Sequence, residues 1–141
     1  MTHEEIVALF DRRAAAWARR DVTALGGLHA DTGVVESPMA GGSVTGRVAI
    51  TQLYEALFKA FPDATVTTEE LVIDGDRAAQ VAAFAGTDTG GFLGLPASGR
   101  PFRVPMLVLL TVKDQQIVSE RRIYDFTGLL IQIGVLKAKR G

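Results

Sequence analysis

Residues 86–134 read GTDTGGFLGLPASGRPFRVPMLVLLTVKDQQIVSERRIYDFTGLLIQIG. They hold a Gly-rich loop over Gly90 to Pro101, an apolar run over Phe102 to Lys113 and a turn at Asp114-Gln115-Gln116. A charged run over Ile117 to Tyr124 follows, then a short amphipathic helix over about Thr127 to Leu136. The β-rich composition of the two runs and the tight turn between them read as a hairpin. The second run places Arg121, Arg122 and Asp125 within five residues, beside some of the most apolar sequence in the chain. Charges next to a core are costly unless paired, solvated or used, so a functional site is sought here first.

Upstream, Thr65 to Ile73 and Arg77 to Thr87 are two further β-rich runs, separated by Asp74-Gly75-Asp76. Such short connections leave no room for crossover helices, so the sheet is expected to be mostly antiparallel. Before Pro62 the period changes. Ile6, Leu9, Phe10, Ala14 and Trp17 make one apolar face of a helix over 2–20, with Thr2 and the acids Glu4 and Glu5 at its start. A short helix is expected from Val22 to His29, capped by Asp21 or Thr23. A short strand over Val34 to Ser37 and a turn-rich patch over Pro38 to Gly42 come next. Ile50, Leu53, Tyr54, Leu57, Phe58 and Phe61 line a helix from about Arg47 to Phe61, stopped by Pro62. Helices first and strands afterwards predict a single α+β domain over 1–141, its helices packed on one face of a curved sheet.

The chain has 141 residues, 48% of them hydrophobic, and a net charge near −1. No global basic field is available for nucleic acid or an anionic membrane, so neither is expected as a partner. Lys137, Lys139 and Arg140 read as a solvated tail. The absence of cysteine excludes disulfides, thiolate metal sites and a Cys nucleophile. The opening MTHEEIVALFDRR interrupts any signal-peptide core with charge, and no run approaches the roughly 18 apolar residues of a membrane span. A cytoplasmic location is the resulting expectation. His3 and His29 stand without a neighbouring acid pattern, so no metal site is expected.

Specific residues add a resemblance. Phe61-Pro62-Asp63 closes the long helix. Gly86-Thr87-x-Thr89-Gly90 leads into Gly91-Phe92-x-Gly94-x-Pro96-x-x-Gly99-Arg100, and the chain finishes with Asp125-x-x-Gly128-Leu129-Leu130-x-Gln132-x-Gly134. This pattern resembles the SnoaL-like branch, polyketide-cyclase and ester-cyclase-like, of the nuclear-transport-factor-2-like superfamily. The resemblance implies a cone-shaped fold with a pocket between helices and sheet, often in a homodimer built from the open sheet face. It also implies cofactor-free proton chemistry on a hydrophobic, polyketide- or terpenoid-like metabolite: cyclisation, isomerisation or epoxide opening. Relatives commonly read Gly-Thr-His-Thr-Gly where this chain has Asp88. Their last strand often resembles Ile-x-Glu-x-Trp-Asp-x-x-Asp, where this chain places Arg121 and Arg122 at the tryptophan and first aspartate positions and keeps Asp125.

Each candidate carries a functional and a structural reading. Asp125 is a proton acceptor if a pocket raises its pKa, or the N-cap of the last helix. Arg121 and Arg122 occupy adjacent strand positions and therefore point to opposite faces. One of them, in the cavity, either stabilises developing negative charge or forms an ion pair with Asp88, Asp125, Glu120 or Glu36. Asp88 is a second acid or base, or a turn former. Trp17, Tyr54, Phe58, Phe84 and Met106 are core residues that would line a pocket for a flat apolar ligand. A ligand-binding module without turnover and a dimerisation domain whose pocket is filled by its own side chains are the alternatives to an enzyme.

Overall fold

The computed structural model describes residues 1–137, so Lys139 and Arg140 of the expected basic tail lie outside the described residues. Three helices and a six-stranded sheet form an α+β fold, closed by a fourth short helix. In chain order they are α1 (His3–Arg19), α2 (Val22–Gly27), β1 (His29–Ser37), β2 (Gly42–Thr45), α3 (Arg47–Ala60), β3 (Thr65–Asp74), β4 (Arg77–Thr87), β5 (Pro101–Lys113), β6 (Gln116–Tyr124) and α4 (Phe126–Gln132). Thr2 caps α1 reciprocally with Glu5, as the spacing of hydroxyl and acid predicts. None of the described helices is long and apolar enough to cross a membrane.

The sheet order is β2-β1-β6-β5-β4-β3. Every neighbour is antiparallel except β1 and β6, which pair in parallel across the span that joins the helical half to the sheet half. Three elements differ from the expected reading. Helix α2 stops at Gly27, and His29 opens a nine-residue strand, because the β6 edge recruits it: Ile117 N–H donates to Leu28 O at 2.8 Å. Strand β2 opens on Gly42, the last residue of the turn-rich patch, and runs through Ser43 to Thr45, where no element is expected; its Gly-Ser-Val-Thr is mostly exposed and carries too weak an apolar pattern to signal a strand. Helix α4 begins at Phe126 and ends at Gln132, with Gly134 beyond it at φ 85°.

Strand β5 alternates regularly. Phe102, Val104, Met106, Val108, Leu110 and Val112 face the helices, and the residues between them face outward. Strand β6 does not. Opposite the adjacent pair Thr111 and Val112 stand Ser119 and Ile117, so Val118 is an extra residue, a β-bulge. The bulge shifts the parity of everything after it. Ile117, Glu120 and Arg122 all turn inward and are buried, whereas Ser119, Arg121 and Ile123 face out.

The motif residues of the Gly-rich loop and the C-terminus serve the backbone. Asp63 accepts hydrogen bonds from Thr87 N and Oγ1, both at 2.7 Å, tying the end of α3 to β4. Asp88 is buried and accepts from Gly91 N, Ser98 N and Ser98 Oγ, which folds the loop onto itself. At Gly90 a Cβ would stand 1.6 Å from Lys59 O, so only glycine lets this loop lie on the end of α3. Gln132 accepts from Arg103 N at 2.7 Å and donates to Arg103 O at 3.2 Å, pinning α4 to β5.

Candidate functional site

Beneath the helices, four elements converge on one buried group of charges. Glu120 from β6 accepts from Arg13 Nη2 of α1 at 3.0 Å and from Arg122 Nε of β6, both on Oε2. Its other oxygen, Oε1, is turned toward His29 of β1, with His29 Nε2 at 3.9 Å. The Arg122 guanidinium lies over the Tyr54 ring of α3 at 4.8 Å, a cation–π contact. All five residues are buried.

The electrostatics follow from this packing. Burial alone would raise the Glu120 pKa, but Arg122 and then Arg13 outweigh it and bring the carboxyl down to about 2. Burial alone would lower the Arg122 guanidinium, but Glu120 beside it wins and the net direction is up. His29 falls to about 4, mainly because burial disfavours its charged form; Glu120 only partly opposes this. Burial likewise raises Tyr124 above the ordinary phenol value. Near neutral pH the group therefore holds two cations, one anion and a neutral imidazole.

Several polar atoms of the group have no protein partner: Arg13 Nη1, Arg122 Nη2, both His29 ring nitrogens, Tyr54 Oη and Glu120 Oε1. Arg13 and Arg122 also border one small cavity, walled by Trp17, Leu57, Val66, Phe84 and Met106, with Ser37 and Tyr124 at one end. The space open to the centre of a water-sized sphere is about 10 Å³, which holds roughly one water. The pocket implied by the resemblance is thus nearly filled by its own side chains. Outside it lies an open groove of about 510 Å³ between the end of β1 and the end of β6. Ser37, Arg122 and Tyr124 line both spaces, so these three form the wall between groove and interior.

The expected site residues separate into two sets. Arg122 faces the cavity, as do Trp17, Phe84 and Met106; Tyr54 lies against Arg122 from behind. Phe58 is one step removed, edge-on to Trp17 at a centroid distance of 5.0 Å. Arg121 is on the opposite face, exposed, and pairs with Glu36 at 3.1 Å. Asp125 is exposed and caps α4 through Gly128 N at 2.8 Å. Its expected place as a proton acceptor in the cavity is corrected: the strand-to-helix junction turns the carboxylate back onto its own helix. Asp88 is likewise corrected to a loop-organising residue, since its carboxylate is occupied by Gly91 and Ser98. Arg13 and His29 were not anticipated. Arg13 sits at the edge of the α1 apolar face, and the signal for it was a charge within reach of Phe10 and Trp17. Among the described residues no group of three or more His, Cys, Asp or Glu could hold a metal ion.

Comparison with known proteins agrees with this architecture. The family model for SnoaL-like polyketide cyclase matches residues 8–133. A ketosteroid-isomerase-like protein from Catenulispora acidiphila, solved in complex with trimethylamine, is 28% identical and superposes with a TM-score of 0.77, covering 89% of this chain and 92% of its own. IdmH from Streptomyces antibioticus, described as a candidate polyketide cyclase, is 28% identical with a TM-score of 0.76, covering 91% and 97%. A SnoaL-like protein from Jannaschia is 24% identical with a TM-score of 0.82 over 94% of each chain, a likeness of fold. No curated protein matches the sequence.

Proposed function

Because the chain belongs to the SnoaL-like polyketide cyclase family, we propose that its interior cavity and outer groove together receive a hydrophobic, carbonyl-bearing metabolite of polyketide or terpenoid type. The observation that carries this reading is that Arg13 and Arg122, each with an unpartnered buried guanidinium nitrogen, border a cavity whose other walls are mostly apolar. Displacement of Tyr124 joins the groove to the interior and makes room for a small ring system against Trp17, Phe84 and Met106. The substrate carbonyl oxygen then meets fixed donors in a low-dielectric site, where stabilisation of a developing oxyanion is strongest.

The proposed step is enolisation. The α C–H proton leaves to water admitted from the groove, the C–H pair becomes the C=C bond of the enolate, and the carbonyl π pair moves onto the oxygen beside Arg122. Ring closure, isomerisation or epoxide opening follows according to the substrate. Glu120 is a positioning residue here: held ionised near pKa 2 by two guanidiniums, it is a weak base and orients both. Deuterium exchange at the α carbon of 2-tetralone, followed by NMR, tests the reading. The protein should accelerate exchange above the buffer rate; binding without acceleration overturns it.

A second reading, ligand binding without turnover, is favoured by one observation. Among the described residues, no unpaired carboxylate borders the cavity to act as a base. We also propose a homodimer packed through the open sheet face. There Val81, Leu107 and Ile123 stand side by side across β4, β5 and β6, with Leu107 38% and Ile123 50% exposed. An apolar ladder of this kind calls for a cover. Sizing at micromolar concentration should give twice the chain mass, and a monomer would refute the assembly.

A further inference from the structure

The charges of the buried group do not balance. Arg13 and Arg122 contribute two positive charges, and Glu120 contributes one negative. Arg47, a further cation acting on His29, is bound to Asp31 at 2.7 Å and to the His29 carbonyl, so its charge is matched by Asp31. The remaining polar groups beside the cluster are His29 from β1, Tyr54 from α3, Tyr124 from β6 and Ser37 from β1, with Thr68 and Gln80 sharing a second small cavity with Arg13. None of them supplies a negative charge near neutral pH, because His29 is neutral and Tyr124 is held protonated. One buried positive charge is left over, in a place where an uncompensated charge is expensive.

The surplus also has a direction. Arg13 and Arg122, each with one unpartnered guanidinium nitrogen, border the cavity, whereas His29, with two unpartnered ring nitrogens, does not. The unpartnered oxygen of Glu120 is instead turned toward His29, which does not line that space. Two guanidiniums thus border the cavity, while neither Glu120 nor His29 does.

We propose that the cavity is built for a ligand that carries one negative charge at rest, a monocarboxylate, whose oxygens take the free Arg13 and Arg122 nitrogens and close the charge count. The inference rests on the reading of this cavity as the ligand site; the carboxylate takes the donors that the enolisation step gives to a carbonyl oxygen, so acid and ketone compete for one place. The carboxylate sits at the inner end, and the apolar body extends past Tyr124 toward the groove. Charge-assisted bonds to two guanidiniums supply the affinity, and the apolar walls supply the rest.

Calorimetric titration of the full chain with cyclohexanecarboxylate and with its neutral counterpart cyclohexanecarboxamide tests this directly. The carboxylate should bind more tightly by about tenfold or more, the worth of one or two charge-assisted bonds. Arg13→Met and Arg122→Met should each erase the preference, while Arg122→Lys should retain part of it. The wild-type comparison stands even where a variant fails to fold. Equal binding of acid and amide, preference for the amide, or no binding of the acid overturns the proposal. Acid preference without 2-tetralone exchange refutes enolisation and leaves the anion site intact. Exchange without acid preference does the reverse.

Discussion

Two regions of this molecule use their acids in opposite ways. In the loop and C-terminal region, Asp63, Asp88 and Asp125 spend their oxygens on backbone N–H groups and nearby hydroxyls, and so shape turns and cap a helix. In the β6 region, Glu120 spends its carboxylate on two guanidiniums from different elements and shapes a charge site. Asp63 and Asp125 belong to the sequence pattern that resembles the family, and Asp88 stands within it where relatives commonly carry histidine. Glu120 sits outside it. Residues that carry a fold's signature are therefore not the residues to search first for its chemistry.

The comparison can be broken most severely at Glu120. Glu120→Gln leaves two guanidiniums buried against a neutral partner, and loss of one member of a buried ion group costs about 3–5 kcal/mol. Urea unfolding should show a large fall in midpoint; a change below about 1 kcal/mol would mean the charges are solvated rather than buried.

Acid should expose the same region. His29 binds its proton near pH 6.5 when unfolded and near 4 when folded. Between these values the unfolded chain holds more protons, so stability rises with pH across that window and is lost as pH falls through it. The loss is on the order of 2–3 kcal/mol. Glu120, at about 2 when folded, adds a further loss as pH falls from 4.5 toward 2. His29→Gln should flatten the profile from pH 6.5 to 4, and an unchanged slope would remove His29 as its cause.

In the loop region the effects are smaller. Asp88→Ala removes three accepted bonds from a buried site and should cost about 2 kcal/mol, read as a lower unfolding midpoint. Asp125→Asn keeps an N-cap side chain and should change stability by less than about 0.5 kcal/mol. Arg121→Ala breaks an exposed pair with Glu36, 59% and 55% exposed, and should move stability by less than about 1 kcal/mol.

Much of the architecture was legible because it obeys simple periods. The α1 stripe of Ile6, Leu9, Phe10 and Trp17 is buried as its spacing predicts, although Ala14 is exposed and Arg13 buried; β5 falls on the expected apolar run, and the glycines of the loop mark its turns. The parallel pairing of β1 with β6 was not legible, since it depends on a long-range edge that recruits His29 from what reads as a helix end. The inward direction of Arg122 was not legible either. A strand of period two fixes only that Arg121 and Arg122 oppose each other, and the bulge at Val118 decides which one enters. That bulge leaves no clear mark in Gln-Ile-Val-Ser-Glu. Glu120 was recognised as one possible partner for a buried arginine, but Arg13, 107 residues away, became its second partner only through folding.

The most direct test sets the two regions against each other in one assay. The rate of α-proton exchange in 2-tetralone should fall about a hundredfold in Arg122→Met, the usual cost of losing one oxyanion donor, and should be unchanged in Asp125→Asn. Exchange that survives Arg122→Met and collapses in Asp125→Asn would contradict the account and return the chemistry to the C-terminal motif.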